Sequence, residues 1–256
     1  MTRYCKFVKS GLFLLAMCLV FSNAQAQESA TEYVRNGIKL LHMEKHQEQA
    51  IVEFNKAIKL VPTYAEAYNL RGDAYRDERK YDQAILDYNK ALELNPNSAG
   101  AYAGRGSAYG RKKNYTQAIS DYNKTIELGS YRQRWLAYYD RGGTYYHQGK
   151  YTQAILDYSK VIELNSNFIE AYIGRGDAYK REGKYAQAIS DYSKAIELRP
   201  NFPCVGNTYT RRAGAYYSLQ EYDKAWNDVH KAESLGYQDI LRGFIKDLKK
   251  ASGRDK

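Results

Sequence analysis

Small, aromatic and aliphatic residues recur along this chain at spacings of three and four, in paired stretches that return about every 34 residues. The second stretch of each pair is the plainer one and reads Tyr-x-Gln-Ala-Ile-x-Asp-Tyr-x-Lys-Ala-Ile-Glu-Leu in its clearest copies. Its Ala falls at Ala50, Ala84, Ala118, Ala154, Ala188 and Ala225, at intervals of 34, 34, 36, 34 and 37 residues. The first stretch reads Ala-Tyr-x-x-Arg-Gly-x-Ala-Tyr. Spacings of three and four belong to helices, and no stretch alternates with the period of a strand. Two amphipathic helices per fixed period predict an all-α solenoid of helix-turn-helix units, each too small to bury its own apolar face.

With that Ala at position 20 of a 34-residue unit, helix A followed by helix B, six repeats begin near Thr31, Ala65, Ala99, Trp135, Ile169 and Gly206. Position 8 is small (Gly72, Gly106, Gly142, Gly176, Ala213). A helix-interior glycine costs about 1 kcal/mol against alanine. Its return predicts a close approach of helix A to helix B, with the position 20 Ala as the facing small residue. Tyrosine fills positions 4, 11, 17 and 24, for example Tyr172, Tyr179, Tyr185 and Tyr192, as core rings with hydroxyls at the edge. Helix B carries Asp at 23, Lys at 26 and Glu at 29, a spacing that places them on one face. Position 7 carries Arg71, Arg105, Arg141, Arg175 and Arg212, which predicts a salt bridge to the position 23 Asp of the same or the previous repeat. Pro62, Pro96 and Pro200 stop three B helices. Extra residues at 128–134 and 200–205 are expected to lengthen loops and leave helices whole.

These positions resemble the tetratricopeptide repeat family, over residues 31–239. The resemblance implies a right-handed superhelix whose concave face is lined by helix A, chiefly at positions 2, 5, 9, 12 and 13. The family more often has Leu at position 7. Members that hold acidic chaperone C-termini use Lys at position 5 and Asn at position 9, a combination this chain lacks.

Residues 1–26 stand apart. Arg3, Lys6 and Lys9 precede an apolar run, Gly11–Phe21, too short to span a bilayer comfortably, and then Ala24-Gln25-Ala26. This order predicts a signal peptide cut after Ala26 and export to the periplasm or envelope, with no transmembrane span in the mature chain. Export would leave Cys204 as the single cysteine, unable to form an internal disulfide; whether it pairs between chains stays open. The solenoid then occupies 27–239, and 240–256 forms a capping helix and basic tail. Repeat 1, with Val34, Gly37, Ile38 and Leu41 at framework positions, reads as the other cap.

The net charge of +10 is concentrated in the leader and the tail, which argues against a nucleic-acid groove. His42 and His46 lie one turn apart without a third ligand, so no metal is expected. No phosphate loop and no nucleophile with a base stands out; the chain is read as non-enzymatic and without a cofactor. What stops repeating is the helix A face. Asn69, Asp73, Arg76, Arg111, Tyr139, Tyr146, Ile173, Asp177, Lys180, Arg181 and Tyr217 are the expected partner-binding residues, with the three tyrosines poorly buried in the free protein. The expected partner is a protein or peptide segment. The alternatives are an envelope glycan stacked on the rings, or a structural spacer with no ligand.

Overall fold

In the computed structural model the described residues are 2–43, 46–200 and 205–253, with side chains described from 22 onward except at 238–242. Among them the backbone forms helices only. They are α1 (Thr2–Leu41), α2 (Gln47–Leu60), α3 (Ala65–Asp77), α4 (Tyr81–Leu94), α5 (Ala99–Arg111), α6 (Tyr115–Leu128), α7 (Tyr131–His147), α8 (Tyr151–Leu164), α9 (Ile169–Arg181), α10 (Tyr185–Leu198), α11 (Val205–Ser218), α12 (Tyr222–Ser234) and α13 (Gln238–Ser252). Odd helices up to α11 are the A helices and even ones the B helices. The chain divides into two compact units, Met1–Leu128 and Gly129–Lys256. In each, helix A packs on its own helix B, helix B packs on the next helix A, and successive A helices touch. Cys204 and the three extra residues before α11 fall outside the described residues, as does Glu44 between His42 and His46.

The turn from helix A to helix B is the same in five repeats. Position 15 takes a left-handed conformation at Arg79, Lys113, Gly149, Gly183 and Gln220, with φ between 61° and 76°. The next residue donates its N–H back to the position 11 Tyr carbonyl, as in Lys80 to Tyr75 and Lys184 to Tyr179, at 2.8 and 2.9 Å. Position 15 donates to the position 12 carbonyl, as in Gly183 to Lys180 at 3.1 Å. This pair of bonds closes the helix and reverses the chain.

Position 24 is the centre of the packing. Tyr88, Tyr122, Tyr158 and Tyr192 are buried, and so is Phe54, their counterpart in repeat 1. A Cβ at Gly72 would lie 2.8 Å from the Tyr88 ring, and one at Gly176 would lie 2.7 Å from Tyr192. The position 8 glycine therefore makes room for the position 24 ring rather than for contact with the position 20 Ala. Repeat 1 moves the small residue one place earlier, to Gly37, whose Cβ would lie 2.4 Å from Phe54. Gly104 and Gly174, at position 6 of the following repeats, cover the other face of Tyr88 and Tyr158, where a Cβ would come within 2.5 and 2.7 Å. The rings at positions 11 and 17 are half-buried, and so are all those at position 4 except the buried Tyr172, so burial is graded rather than uniform.

Two further expectations change. The extra residues after α6 do not simply lengthen a loop. α7 begins at Tyr131 and is 17 residues long where the other A helices of the middle repeats have 13. Ser130 caps it, accepting from Gln133 N–H while the Gln133 side chain accepts from Ser130 N–H. With its first-turn donors satisfied, helix is the cheaper state for the insertion. The Asp-Lys-Glu ladder also splits. The position 23 aspartates are 4–6% exposed, whereas Lys90–Glu93, Lys124–Glu127, Lys160–Glu163 and Lys194–Glu197 pair in the open at 2.6–2.8 Å.

At the C-terminal end, Leu248 of α13 is buried, and Phe244 and Ile245 pack with it against Trp226, Val229 and Ala225. The Trp226 indole donates to Ser252 Oγ at 3.1 Å. Ile240 and Leu241, expected on the same face, have side chains outside the described set. At the other end α1 runs without a break past Ala26, and Ala30 and Val34 are buried against Ala50, Ile51 and Phe54.

Candidate partner-binding surfaces

The position 7 arginine holds the A helices in place. Each makes two parallel hydrogen bonds to the Asp of its own repeat: Arg71–Asp87, Arg105–Asp121, Arg141–Asp157, Arg175–Asp191 and Arg212–Asp228, at 2.6–2.9 Å. The remaining Nη1 reaches the preceding repeat, from Arg71 to Asn55 at 2.6 Å, Arg105 to Asn89 at 2.6 Å, Arg175 to Ser159 at 3.0 Å and Arg212 to Ser193 at 2.8 Å. The guanidinium lies over the position 4 ring, 5.2–5.8 Å from the centroids of Tyr68, Tyr102, Tyr138, Tyr172 and Tyr209. One side chain thus ties helix A to helix B and one repeat to the last.

In the unit Met1–Leu128, Asp73 accepts from Tyr88 Oη at 2.8 Å and pairs with Arg76 at 2.8 Å. Burial pushes the Asp73 carboxyl above the usual range, and Arg76 and the Tyr88 hydroxyl oppose it. Arg76 also bonds Asp77 at 3.1–3.2 Å. Arg76, Arg111, Gln47, Arg79, Tyr81 and Ser107 line a cleft of about 690 Å³ with Asp77. Asn69 is half-buried, and its Oδ1 is buried without a hydrogen-bond partner.

In the unit Gly129–Lys256, Tyr139 stands edge-on to Phe168, centroids 5.0 Å apart at 89°, and lies 5.8 Å from Tyr158. Burial raises its hydroxyl pKa, and the charges of Glu170 and Asp140 add to the shift. Tyr146 meets Tyr151 at 5.4 Å, and Tyr217 meets Tyr222 at 5.9 Å and Phe244 at 5.6 Å. All three tyrosines are half-buried rather than poorly buried, because each has a ring of the adjoining helix to lean on. Ile173 packs with Ile169, Tyr172 and Ala195. Asp177 accepts from Tyr192 Oη at 2.8 Å and pairs with Arg211. Arg181 Nε donates to Tyr146 Oη at 3.2 Å. Lys180 is half-buried, and its pKa is lowered by burial and by Arg211 and Arg181, against the pull of Asp177.

These helix pairs match models of the tetratricopeptide repeat: one at 65–98 and 169–202, one at 44–76 and 142–183, and one at 87–120. The MamA protein, whose crystal structure is known, is 30% identical, with a TM-score of 0.59 over 68% of this chain and 93% of its own. The chain belongs to the tetratricopeptide repeat family. Two further tetratricopeptide repeat folds are similar in structure. YrrB, described as a TPR protein with an unusual peptide-binding site, is 24% identical with a TM-score of 0.63, over 76% of this chain and 97% of its own. The pilF protein of Pseudomonas aeruginosa is 20% identical with a TM-score of 0.72, over 86% and 99%. Comparison with curated proteins gives no significant match.

Within this tetratricopeptide repeat frame the expected binding residues divide. Asp73, Asp177, Arg76 and Tyr146 are bonded into the framework, while Arg111 and Arg181 are exposed. Arg211 was not among the expected residues. It sits at position 6, which runs Leu70, Gly104, Asp140, Gly174, Arg211. That break in the repeat was the available signal. Among the described residues no group of three His, Cys, Asp or Glu is placed to hold a metal. None of the described helices is long and apolar enough to cross a membrane.

Proposed function

We propose that this chain is a non-enzymatic scaffold, exported to the periplasm or envelope, which binds a protein or peptide segment on the helix A face of its repeats. The observation that carries the reading is the split within each repeat. Arg at 7, Asp at 23 and Tyr at 24 build one repeated clamp, while the residues beside them on helix A differ from copy to copy and bring rings and charges together. A rigid frame with a variable face is a way to encode one partner. A protein of the same fold, YrrB, is described as having a peptide-binding site, a likeness of fold alone. Tyr139, Tyr146 and Tyr217 are half-buried and lean on neighbouring rings edge-on or tilted, which supports a packed peptide contact over a sugar stacked on a freely exposed ring. Export rests on the order of residues 3–26.

The test is affinity capture from envelope extract with the full chain as bait, beside Arg111→Glu and Tyr139→Ala variants checked for helical signal. The expected result is a protein retained by the parent and lost by the folded variants. Equal retention by all would move binding off this face. Intact mass of the protein from the envelope fraction should give a chain starting at Gln27; a chain retaining residues 1–26 would overturn the exported soluble form.

A further inference from the structure

We infer that the helix A face of the unit Gly129–Lys256 holds a carboxylate of its partner between Lys180, Arg181 and Arg211. This rests on the peptide-binding reading above and adds the chemistry of the bound segment.

Among the described residues Asp177 is the acid whose charge acts on Lys180 and Arg181 and that pairs with Arg211, and both its oxygens are engaged, Oδ1 by Tyr192 and Oδ2 by Arg211. Lys180 Nζ donates no hydrogen bond to any described residue. It lies over α11 where the chain is bare: a Cβ on Gly214 would stand 2.8 Å from it. Arg181 uses Nε on Tyr146, and no described acid pairs with its outer nitrogens. Burial and the two arginines destabilise the Lys180 ammonium, which is the condition an incoming anion would relieve. An unpaired, partly buried cation is costly unless a partner supplies the counter-charge.

The other unit shows the contrast. In its repeat 2, positions 9, 12 and 13 are Asp73, Arg76 and Asp77, and Arg76 is bonded to both acids. Repeat 5 keeps the Asp at 9 and a cation at 12 but has Arg181 at 13, and repeat 6 adds Arg211. The same scaffold position is neutralised in repeat 2 and left short of negative charge in repeat 5. A planar carboxylate suits two arginine forks beside a point charge.

The carboxylate can be a Glu or Asp side chain or a chain terminus, and three peptides separate these. They share one sequence: acetylated and amidated with two internal Glu, the same with Gln for Glu, and the Gln form with a free C-terminal carboxylate. Binding to the full chain is measured by calorimetry and by the NMR signals of the Lys180 Cε and Nζ. The expected result is that one carboxylate-bearing peptide binds about tenfold tighter than the amidated Gln form, raises the Lys180 pKa and weakens with salt. Preference for the Glu form assigns a side chain; preference for the free terminus assigns a chain end. Lys180→Met should abolish the preference while staying folded, and Lys180→Arg should restore most of it. Equal binding by the three peptides, no binding by any, or an unmoved preference in Lys180→Met overturns the inference. The two readings fail differently. If Lys180→Met keeps the partner captured from envelope extract while Tyr139→Ala loses it, the carboxylate falls and the helix A face stands. If both variants keep it, the helix A face falls as well.

Discussion

Arg175 and Asp191 lie 16 residues apart and meet in two parallel hydrogen bonds, Nε to Oδ2 at 2.8 Å and Nη2 to Oδ1 at 2.7 Å. Asp191 is buried, and the third guanidinium nitrogen crosses to Ser159 of the preceding repeat. Arg175→Leu should cost about 3–5 kcal/mol, because it strands a buried carboxylate. Arg175→Leu with Asp191→Leu should recover much of that loss, since a buried pair is often replaceable by apolar residues. Urea denaturation of the four proteins of this cycle gives the coupling. Simple addition of the two single losses would show that the pair does not act as a unit.

Two glycines four residues apart in α5 should respond oppositely to the same change. A Cβ at Gly104 would press on the Tyr88 ring at 2.5 Å, and that ring is already held on its other face by Gly72. Gly104→Ala should cost about 1–3 kcal/mol by overpacking. Gly100 is in the same helix, and its Cβ would meet only Asn69 Nδ2, at 3.9 Å. Gly100→Ala should gain up to about 1 kcal/mol from helix propensity. Thermal melts read both; equal effects would remove the ring as the reason for position 6.

Lys113 holds a left-handed φ of 61° at the position where repeats 4 and 5 have Gly149 and Gly183. Lys113→Gly should raise stability by about 1 kcal/mol by removing that strain, and Gly149→Lys should lower it by a similar amount. A lower melting temperature for Lys113→Gly would show that the turn is not strained.

Asp73 gives a signed pH dependence. Burial raises its pKa in the folded state above the value of the unfolded chain. Between those two values the folded protein binds more protons than the unfolded one, so this group's contribution to stability falls as pH rises through that window. Asp73→Asn keeps an acceptor for Tyr88 Oη and cannot titrate. The stability of the parent relative to Asp73→Asn should therefore increase as pH is lowered from about 6 to about 4. Denaturant midpoints at the two values test the sign.

Tyr139 packs on Phe168 and Tyr158, and Tyr146 on Tyr151. Removing both rings should lower stability by a few kcal/mol, about half what full burial would give. A melting curve unchanged in the double alanine variant would return both rings to the open surface.

The periodic positions were readable because each repeat is its own control. A glycine that costs helix stability at position 8 in four copies, or an Arg at 7 matched by an Asp at 23 in five, names its own constraint through repetition. What repetition does not reveal is which neighbour satisfies the constraint. Gly72 and Gly106 make room for the rings of Tyr88 and Tyr122, not for a facing alanine. The capped extension of α7 depended on Ser130 and Gln133, a pairing three residues long that the repeat phase hid.

The candidate binding residues were less legible, for the same reason in reverse. Positions 9, 12 and 13 were found because they vary, but variation does not tell a bonded residue from an available one. Asp73 and Asp177 proved to be acceptors for buried tyrosines, and Tyr146 a support for Arg181. Helical periodicity and the length of the repeat follow from local spacing, which the chain carries in one dimension. The partners of Arg211 and the unpaired state of Lys180 depend on residues 34 positions apart meeting across neighbouring A helices, and only three-dimensional packing, which sets distance and excludes water, decides which charges are spent and which remain.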